Sequence, residues 1–209
     1  MIIETFAVGP LQCNCTILGD EHSREAIVID PGGEPDKIFQ ALEKHSLTVK
    51  QIVCTHTHID HVGAIAELQQ RFESSASIHE SDLFLYEKLD VQAQWIGLPE
   101  PRRGTIDRFI KDGDAVGCNG VQIGVLHTPG HTPGSITFHL PADRATLFTG
   151  DTLFLQSIGR TDLWGGSYPQ IIQSIQNKLL TFGDETLVIP GHGQWTTIGR
   201  ERRNNPFLQ

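Results

Sequence analysis

The chain has 209 residues, a formal net charge of -9 and 38% hydrophobic residues, which suits one α/β domain, residues 1–209, with a substantial core. So acidic a balance argues against a nucleic-acid partner, because phosphate binding calls for a basic surface, and no run of roughly 18 apolar residues predicts a membrane span. The opening Met1-Ile2-Ile3-Glu4-Thr5-Phe6 lacks the basic and apolar stretches of a signal peptide, so the expectation is a cytoplasmic protein.

Runs rich in β-formers at residues 2–8, 14–18 and 26–30 are predicted strands, and residues 34–45 a helix. Residues 49–54 predict a further strand, and apolar residues at Val62, Ile65, Leu68 and Phe72 predict a helix over 62–72. A second helical stretch covers 80–94, strands resume over 106–149, and a helix at 168–180 precedes a last strand at 186–189. This order suggests two similar halves, each mixing strands with helices, although no sequence repeat is visible. Cys13, Cys15, Cys54 and Cys118 lack zinc-ribbon spacing and read as reduced, mostly buried thiols.

Between the strand at 49–54 and the helix at 62–72 lies Thr55-His56-Thr57-His58-Ile59-Asp60-His61. Histidine is an ordinary surface residue, but three imidazoles and a carboxylate on a loop that leaves a strand and enters a helix are the donor set of a metal site. That loop falls at the edge outside the carboxyl ends of strands, where α/β proteins build their sites. Three later segments repeat the pattern of a strand followed by a candidate ligand. Residues 121–126 lead to His131, held in Thr128-Pro129-Gly130-His131-Thr132-Pro133-Gly134; 145–148 lead to Thr149-Gly150-Asp151; and 186–189 lead to Pro190-Gly191-His192-Gly193. One such residue alone would be read as a cap or a turn. Four loops offering donors at the same edge point to metal.

The His-x-His-x-Asp-His core, followed in order by single His, Asp and His positions, resembles the metallo-β-lactamase superfamily across nearly the whole chain. Within it the chain is most similar to the small, single-domain glyoxalase II-like hydrolases, through Ser157-Ile158-Gly159-Arg160-Thr161-Asp162, the Pro190-Gly191-His192-Gly193 ending, and the segment from Thr196 to Leu208. The resemblance implies an αββα sandwich and two divalent metal ions, zinc first, with iron or manganese as alternatives. It assigns His56, His58 and His131 to one metal, Asp60, His61 and His192 to the other, and Asp151 to both. It further implies hydrolysis of a small-molecule thioester, S-lactoylglutathione, in methylglyoxal detoxification. A hydroxide shared by the metals would be the nucleophile, and Asp60 a metal ligand that also orients its proton. A thiol with a pKa of about 8.5 leaves as its anion without a strong general acid.

Alternatives within the resemblance are a persulfide dioxygenase, with one iron held by two His and one Asp of this set, and an acyl-homoserine lactonase with the full ligand pattern. A metal-binding module without catalysis is the competitor from another class. Lactam cleavage is disfavoured on the ground that such lactamases usually place a Cys among the ligands of the second metal. Larger glyoxalase II enzymes carry an extra helical domain that supplies much of the glutathione contact, so here Arg160, Lys111 and Arg200 are only candidates to meet its carboxylates. Asp30 either opens a turn or holds a ligand imidazole from behind. Arg160 pairs with Asp162 or Asp151, or binds a substrate carboxylate, with the ion pair favoured. Trp164 and Tyr168 line a pocket or join the core, His127 supports His131 or is merely packed, and His22, His45, His79 and His139 carry no function in this reading.

Overall fold

The computed structural model describes residues 1–142 and 144–209. The chain begins with β1 (Ile2–Val8), β2 (Cys13–Gly19) and β3 (Glu25–Ile29), then α1 (Pro35–Lys44) and β4 (Thr48–Val53). Two short helices follow, α2 (Ile59–Val62) and α3 (Ile65–Phe72), and then β5 (Ser75–Ile78). A 3-10 turn at Glu80–Asp82 leads into α4 (Leu83–Tyr86), α5 (Leu89–Ile96) and β6 (Arg108–Phe109). These six strands form one sheet in sequence order, antiparallel from β1 to β3 and parallel from β3 to β6.

The second half contributes β7 (Ala115–Cys118), β8 (Val121–His127), β9 (Ile136–Leu140) and β10 (Thr146–Gly150). After the small hairpin of β11 (Leu153–Phe154) and β12 (Ser157–Ile158) come α6 (Tyr168–Ser174), β13 (Leu187–Pro190), β14 (Thr196–Thr197) and α7 (Ile198–Asn204). Its sheet runs β14-β13-β10-β9-β8-β7, with β10 and β13 parallel.

Alternation along the strands sends side chains to both faces of each sheet. Leu18, Ile27, Ile29 and Val53 from the first sheet meet Ile123, Val125, Phe138 and Phe148 from the second in one buried cluster. On the first sheet's outer face Ile17, Val28 and Ile52 pack against Ile38 and Leu42 of α1 and Ile65 and Leu68 of α3. Leu147 and Val188 of the second sheet pack outward on Ile171, Ile175, Leu179 and Ile198. The layers are helix, sheet, sheet, helix: the αββα sandwich. Each of these aliphatic side chains contributes roughly 1.5–3 kcal/mol by leaving water.

Two expected helices are broken. The helix expected over 62–72 is interrupted at Gly63, because Ala64 gives its N–H to the Pro31 carbonyl at 2.8 Å instead of to its own helix. A Cβ on Gly63 would sit 2.5 Å from the Gly32 carbonyl, so the chain can turn there only without a side chain. The stretch expected to be helical over 80–94 divides into the 3-10 turn, α4 and α5, with Lys88 N–H tightening onto the Leu85 carbonyl three residues back. The helix expected over 168–180 runs as α6 into a π-helical turn at Ile175–Leu179.

Candidate metal centre

The site lies where parallel strands end. Asp30 follows β3, Thr55 and His56 follow β4, Asp151 follows β10 and His192 follows β13, while His131 lies in the loop joining β8 and β9. Two hydrogen bonds tie these edges together: Ile136 N–H to the Thr55 carbonyl at 2.8 Å and Gly191 N–H to the Gly150 carbonyl at 2.8 Å. Asn14 holds the His192 loop to β2 through Nδ2 bonds to the carbonyls of Pro190 (2.9 Å) and Gly193 (3.1 Å).

His56, His58 and His131 form the first set. His131 donates through Nδ1 to the Arg160 carbonyl at 2.8 Å, which leaves a lone pair on its Nε2. Thr55 Oγ1 donates to Asp30 Oδ2 at 2.7 Å, so its contact with His56 Nδ1 at 3.1 Å is one in which the imidazole donates, and His56 Nε2 is bare as well. Both bare nitrogens face His58 Nδ1, at 3.1 Å from His56 and 2.9 Å from His131. One proton on His58 can satisfy only one of them. A cation held by all three removes the conflict.

Asp60, His61 and His192 form the second set with the same logic. His61 donates through Nδ1 to Asp30 Oδ2 at 3.0 Å, and His192 through Nδ1 to the Leu11 carbonyl at 3.0 Å. Their Nε2 atoms then meet at 3.3 Å, with Asp60 Oδ2 3.1 Å from His192 and 3.7 Å from His61. Asp151 stands between the sets: Oδ2 is 3.6 Å from His131 Nε2, whereas Oδ1 is 3.5 Å from His61 Nε2 and 3.7 Å from His192 Nε2. Oδ1 is buried with no hydrogen-bond partner among the described residues, a costly state for a carboxylate unless a cation meets it. A Cβ on Gly191 would lie 2.3 Å from that oxygen, so the loop clears the space only as glycine. These donors fit two divalent metals.

The two sets differ electrically. Burial, with the neighbouring rings, pushes His56 and His131 below the ordinary imidazole range and His58 down to about 3. Burial works the same way on His61 and His192, yet the carboxylates of Asp60 and Asp151, joined by Asp30 at His61, outweigh it and raise both. Cys13 also lies near His61, with Sγ 3.5 Å from Nδ1, but burial pushes that thiol up to about 12 and keeps it neutral. Burial likewise opposes the charge of Asp60, and His61 and His192 reverse it, holding its carboxyl well below the usual range.

Asp30 serves as more than a turn. It sits in left-handed backbone (φ 51°), is buried, and its carboxylate accepts from Thr55 N–H at 2.7 Å, from Thr55 Oγ1 and from His61 Nδ1. Arg160 faces Asp162 through two bonds, Nε to Oδ1 at 2.7 Å and Nη2 to Oδ2 at 2.8 Å; its backbone carbonyl, not its side chain, steadies His131. Trp164 lines the cleft over the site, but Tyr168 is exposed and belongs neither to cleft nor to core. His127 does not support His131: its ring stacks on His79 at 4.1 Å and its Nε2 donates to the Pro133 carbonyl at 2.9 Å.

Two residues escaped the sequence reading. Asp82 is fully buried and accepts from Thr57 N–H (3.2 Å), Thr132 Oγ1 (2.8 Å) and Gly134 N–H (2.6 Å), so one carboxylate clamps the backbone between His56 and His58 to the loop of His131. Gln92 accepts from Ile59 N–H at 2.9 Å and donates to the carbonyls of Leu85 (2.8 Å) and Thr57 (3.3 Å). The signal for both was faint, because each stands among polar neighbours, in Glu80-Ser81-Asp82 and in Asp90-Val91-Gln92-Ala93-Gln94.

Comparison with known proteins gives the family. The hydroxyacylglutathione hydrolase GloC of Haemophilus influenzae is 43% identical, in an alignment covering 100% of this chain and 98% of that protein. Among solved structures, BLEG-1 B3 metallo-beta-lactamase superposes with a TM-score of 0.91 at 34% identity, covering 99% of each chain. TTHA1623 in a di-iron-bound form superposes with a TM-score of 0.84 at 38% identity, covering 97% of this chain and 98% of that one. The family model of the metallo-beta-lactamase superfamily matches residues 8–192, a span that contains all seven donors gathered at the sheet edge, and the chain belongs to that superfamily.

Proposed function

We propose that this metallo-hydrolase cleaves a thioester of the acylglutathione class, with S-lactoylglutathione giving lactate and glutathione, at a centre of two divalent metals. The observation that carries the two-metal reading is Asp151, whose Oδ2 approaches one donor set and Oδ1 the other. The thioester reading draws on the likeness to GloC over the full chain. Metals bound there supply hydroxide at neutral pH and a Lewis acid for the carbonyl oxygen.

The residues do the rest. The Asp60 carboxylate, at the cleft floor and charged through most of the pH range, accepts a hydrogen bond from the nucleophile and fixes its direction without taking its proton. His131 and His61 are held in one tautomer by the Arg160 carbonyl and by Asp30, so their lone pairs point inward without reorganisation. The leaving thiolate needs no acid from the protein.

Elemental analysis of freshly purified protein should find close to two metals per chain, zinc, iron or manganese. Turnover should then be compared on S-lactoylglutathione, glutathione persulfide with oxygen, an acyl-homoserine lactone and a cephalosporin, the last because of the lactamase likeness. The thioester should have the highest kcat/KM. One iron per chain with oxygen uptake would replace this reading by the dioxygenase one, and silence on all four substrates in metal-replete protein would leave a binding module.

A further inference from the structure

A cleft of about 360 Å³ opens over the centre, floored by His58, Asp60, His131 and Asp151. Its other wall is apolar: Leu11, Leu85, Ile96, Leu163, Trp95 and Trp164. The two polar side chains on that wall are already engaged, Gln92 by three backbone groups and Arg160 by Asp162. The indoles of Trp95 and Trp164 lie 4.1 Å apart at 59°, and the Lys88 ammonium sits 5.3 Å above the Trp164 ring. Lys88 precedes α5 and Trp95 lies in its last turn, two turns on, so that helix meets Trp164 at both ends. Trp95 is nonetheless 57% exposed and Ile96 42%, apolar surface turned toward the cleft and water.

We infer that this wall is the receptor for an apolar acyl substituent, and that Trp95 and Trp164 make the enzyme prefer aromatic or branched acyl groups over lactoyl; the inference rests on the thioester reading. With the reacting carbonyl at the floor, one of its two substituents must lie against the indoles. The glutathionyl arm carries two carboxylates, which the apolar side chains of that wall cannot pair and which would lose hydration there, while the Lys88 ammonium sits over the Trp164 ring. The acyl group therefore takes the wall, and the glutathionyl arm runs out along the open rim. Exposed indoles beside a metal floor then have a purpose: the substrate covers them.

S-mandeloylglutathione and S-lactoylglutathione differ by a phenyl in place of a methyl. Metal-replete enzyme should show a mandeloyl to lactoyl ratio of kcat/KM of at least about 10, the scale a hydrophobic pocket provides for added apolar atoms. Trp95→Ala and Trp164→Ala should each cut that ratio at least about 5-fold and Trp95→Phe should preserve most of it, whereas damage to the fold would lower both substrates alike and leave the ratio unchanged. Binding of the free acids, followed by indole fluorescence in the metal-loaded protein, gives a readout without turnover. Mandelate should bind more tightly than lactate. Equal binding, or a ratio near one in the wild type, overturns the receptor; tighter mandelate binding without cleavage of any thioester keeps the receptor and overturns the thioester reading instead.

Discussion

The Nε2 atoms of His61 and His192 face each other at 3.3 Å while each ring donates its Nδ1 proton elsewhere, to Asp30 and to the Leu11 carbonyl. Without metal, a proton is what reconciles two such lone pairs, and the acidic surroundings favour it there. Proton and metal compete for this place. At the first set burial disfavours the proton, so the competition is weak. Acidification from pH 8 to 5.5 should therefore release the second metal before the first, and His192→Ala should lower the content from about two metals to about one. Metal analysis after dialysis across that range checks both; simultaneous loss of the two ions would contradict the division.

Asp151→Ala should remove both metals and lower kcat by at least about 10³-fold, the scale seen when transition-state electrostatics are lost. Its effect on the metal-free protein should be small, since relief of a buried oxygen without a hydrogen bond among the described residues offsets the lost attraction for a proton on His61 or His192. Thermal unfolding with and without chelator reads both. In the wild type the gap between the two melting temperatures should be wide, since ligand at 100 times its Kd adds about 2.7 kcal/mol; in the variant the gap should close.

Asp82→Asn should weaken the first metal about 10- to 100-fold and spare the second, because the carboxylate clamps only the loops of His56, His58 and His131. Burial raises its pKa to about 6 against an ordinary 3.8. The folded state therefore holds its proton to higher pH than the unfolded chain, and this group's contribution to stability is full below about 3.8 and declines as pH rises to about 6. Asp82→Asn should flatten that part of the stability profile, which denaturant unfolding from pH 4 to 7 will show.

Arg160→Ala should change kcat and KM on any thioester by less than about 3-fold, as expected for an exposed pair, because the side chain is paired at the surface and the carbonyl that holds His131 survives the substitution. Kinetics on a glutathione thioester and on a truncated one lacking the carboxylates decide the matter. A rise in KM confined to the glutathione thioester would make Arg160 a substrate contact after all.

The strands of the sandwich could be read because their β-branched runs are long and bounded by turn residues, and β1 (Ile2–Val8) coincides with the run read from sequence. β5 was missed: Ser75-Ala76-Ser77-Ile78 holds one β-former and is a strand only because it pairs with β4. The helix at 62–72 looked continuous because the hydrogen bond that breaks it runs from Ala64 N–H to the carbonyl of Pro31, distant in sequence. The seven side chains that gather at the sheet edge stood out in the sequence, since imidazoles and carboxylates after strands are rare together. Asp82 was not. In Glu80-Ser81-Asp82 it reads as one more solvated acid, and only the folded chain brings Thr57, Thr132 and Gly134 around it.

The donors are divided between the two layers. His56 and His58, on the loop after β4, and Asp60 and His61, on α2, belong to the half of the first sheet, whereas His131, Asp151 and His192 stand on loops of the second. During synthesis the first sheet would offer two imidazoles to one metal and an acid and an imidazole to the other, too few to retain either ion tightly. His192, which follows β13, completes the second set only after that late strand has joined β10. Retained metal would thus mark chains whose halves have docked, and a chelator would act on the seam between the sheets.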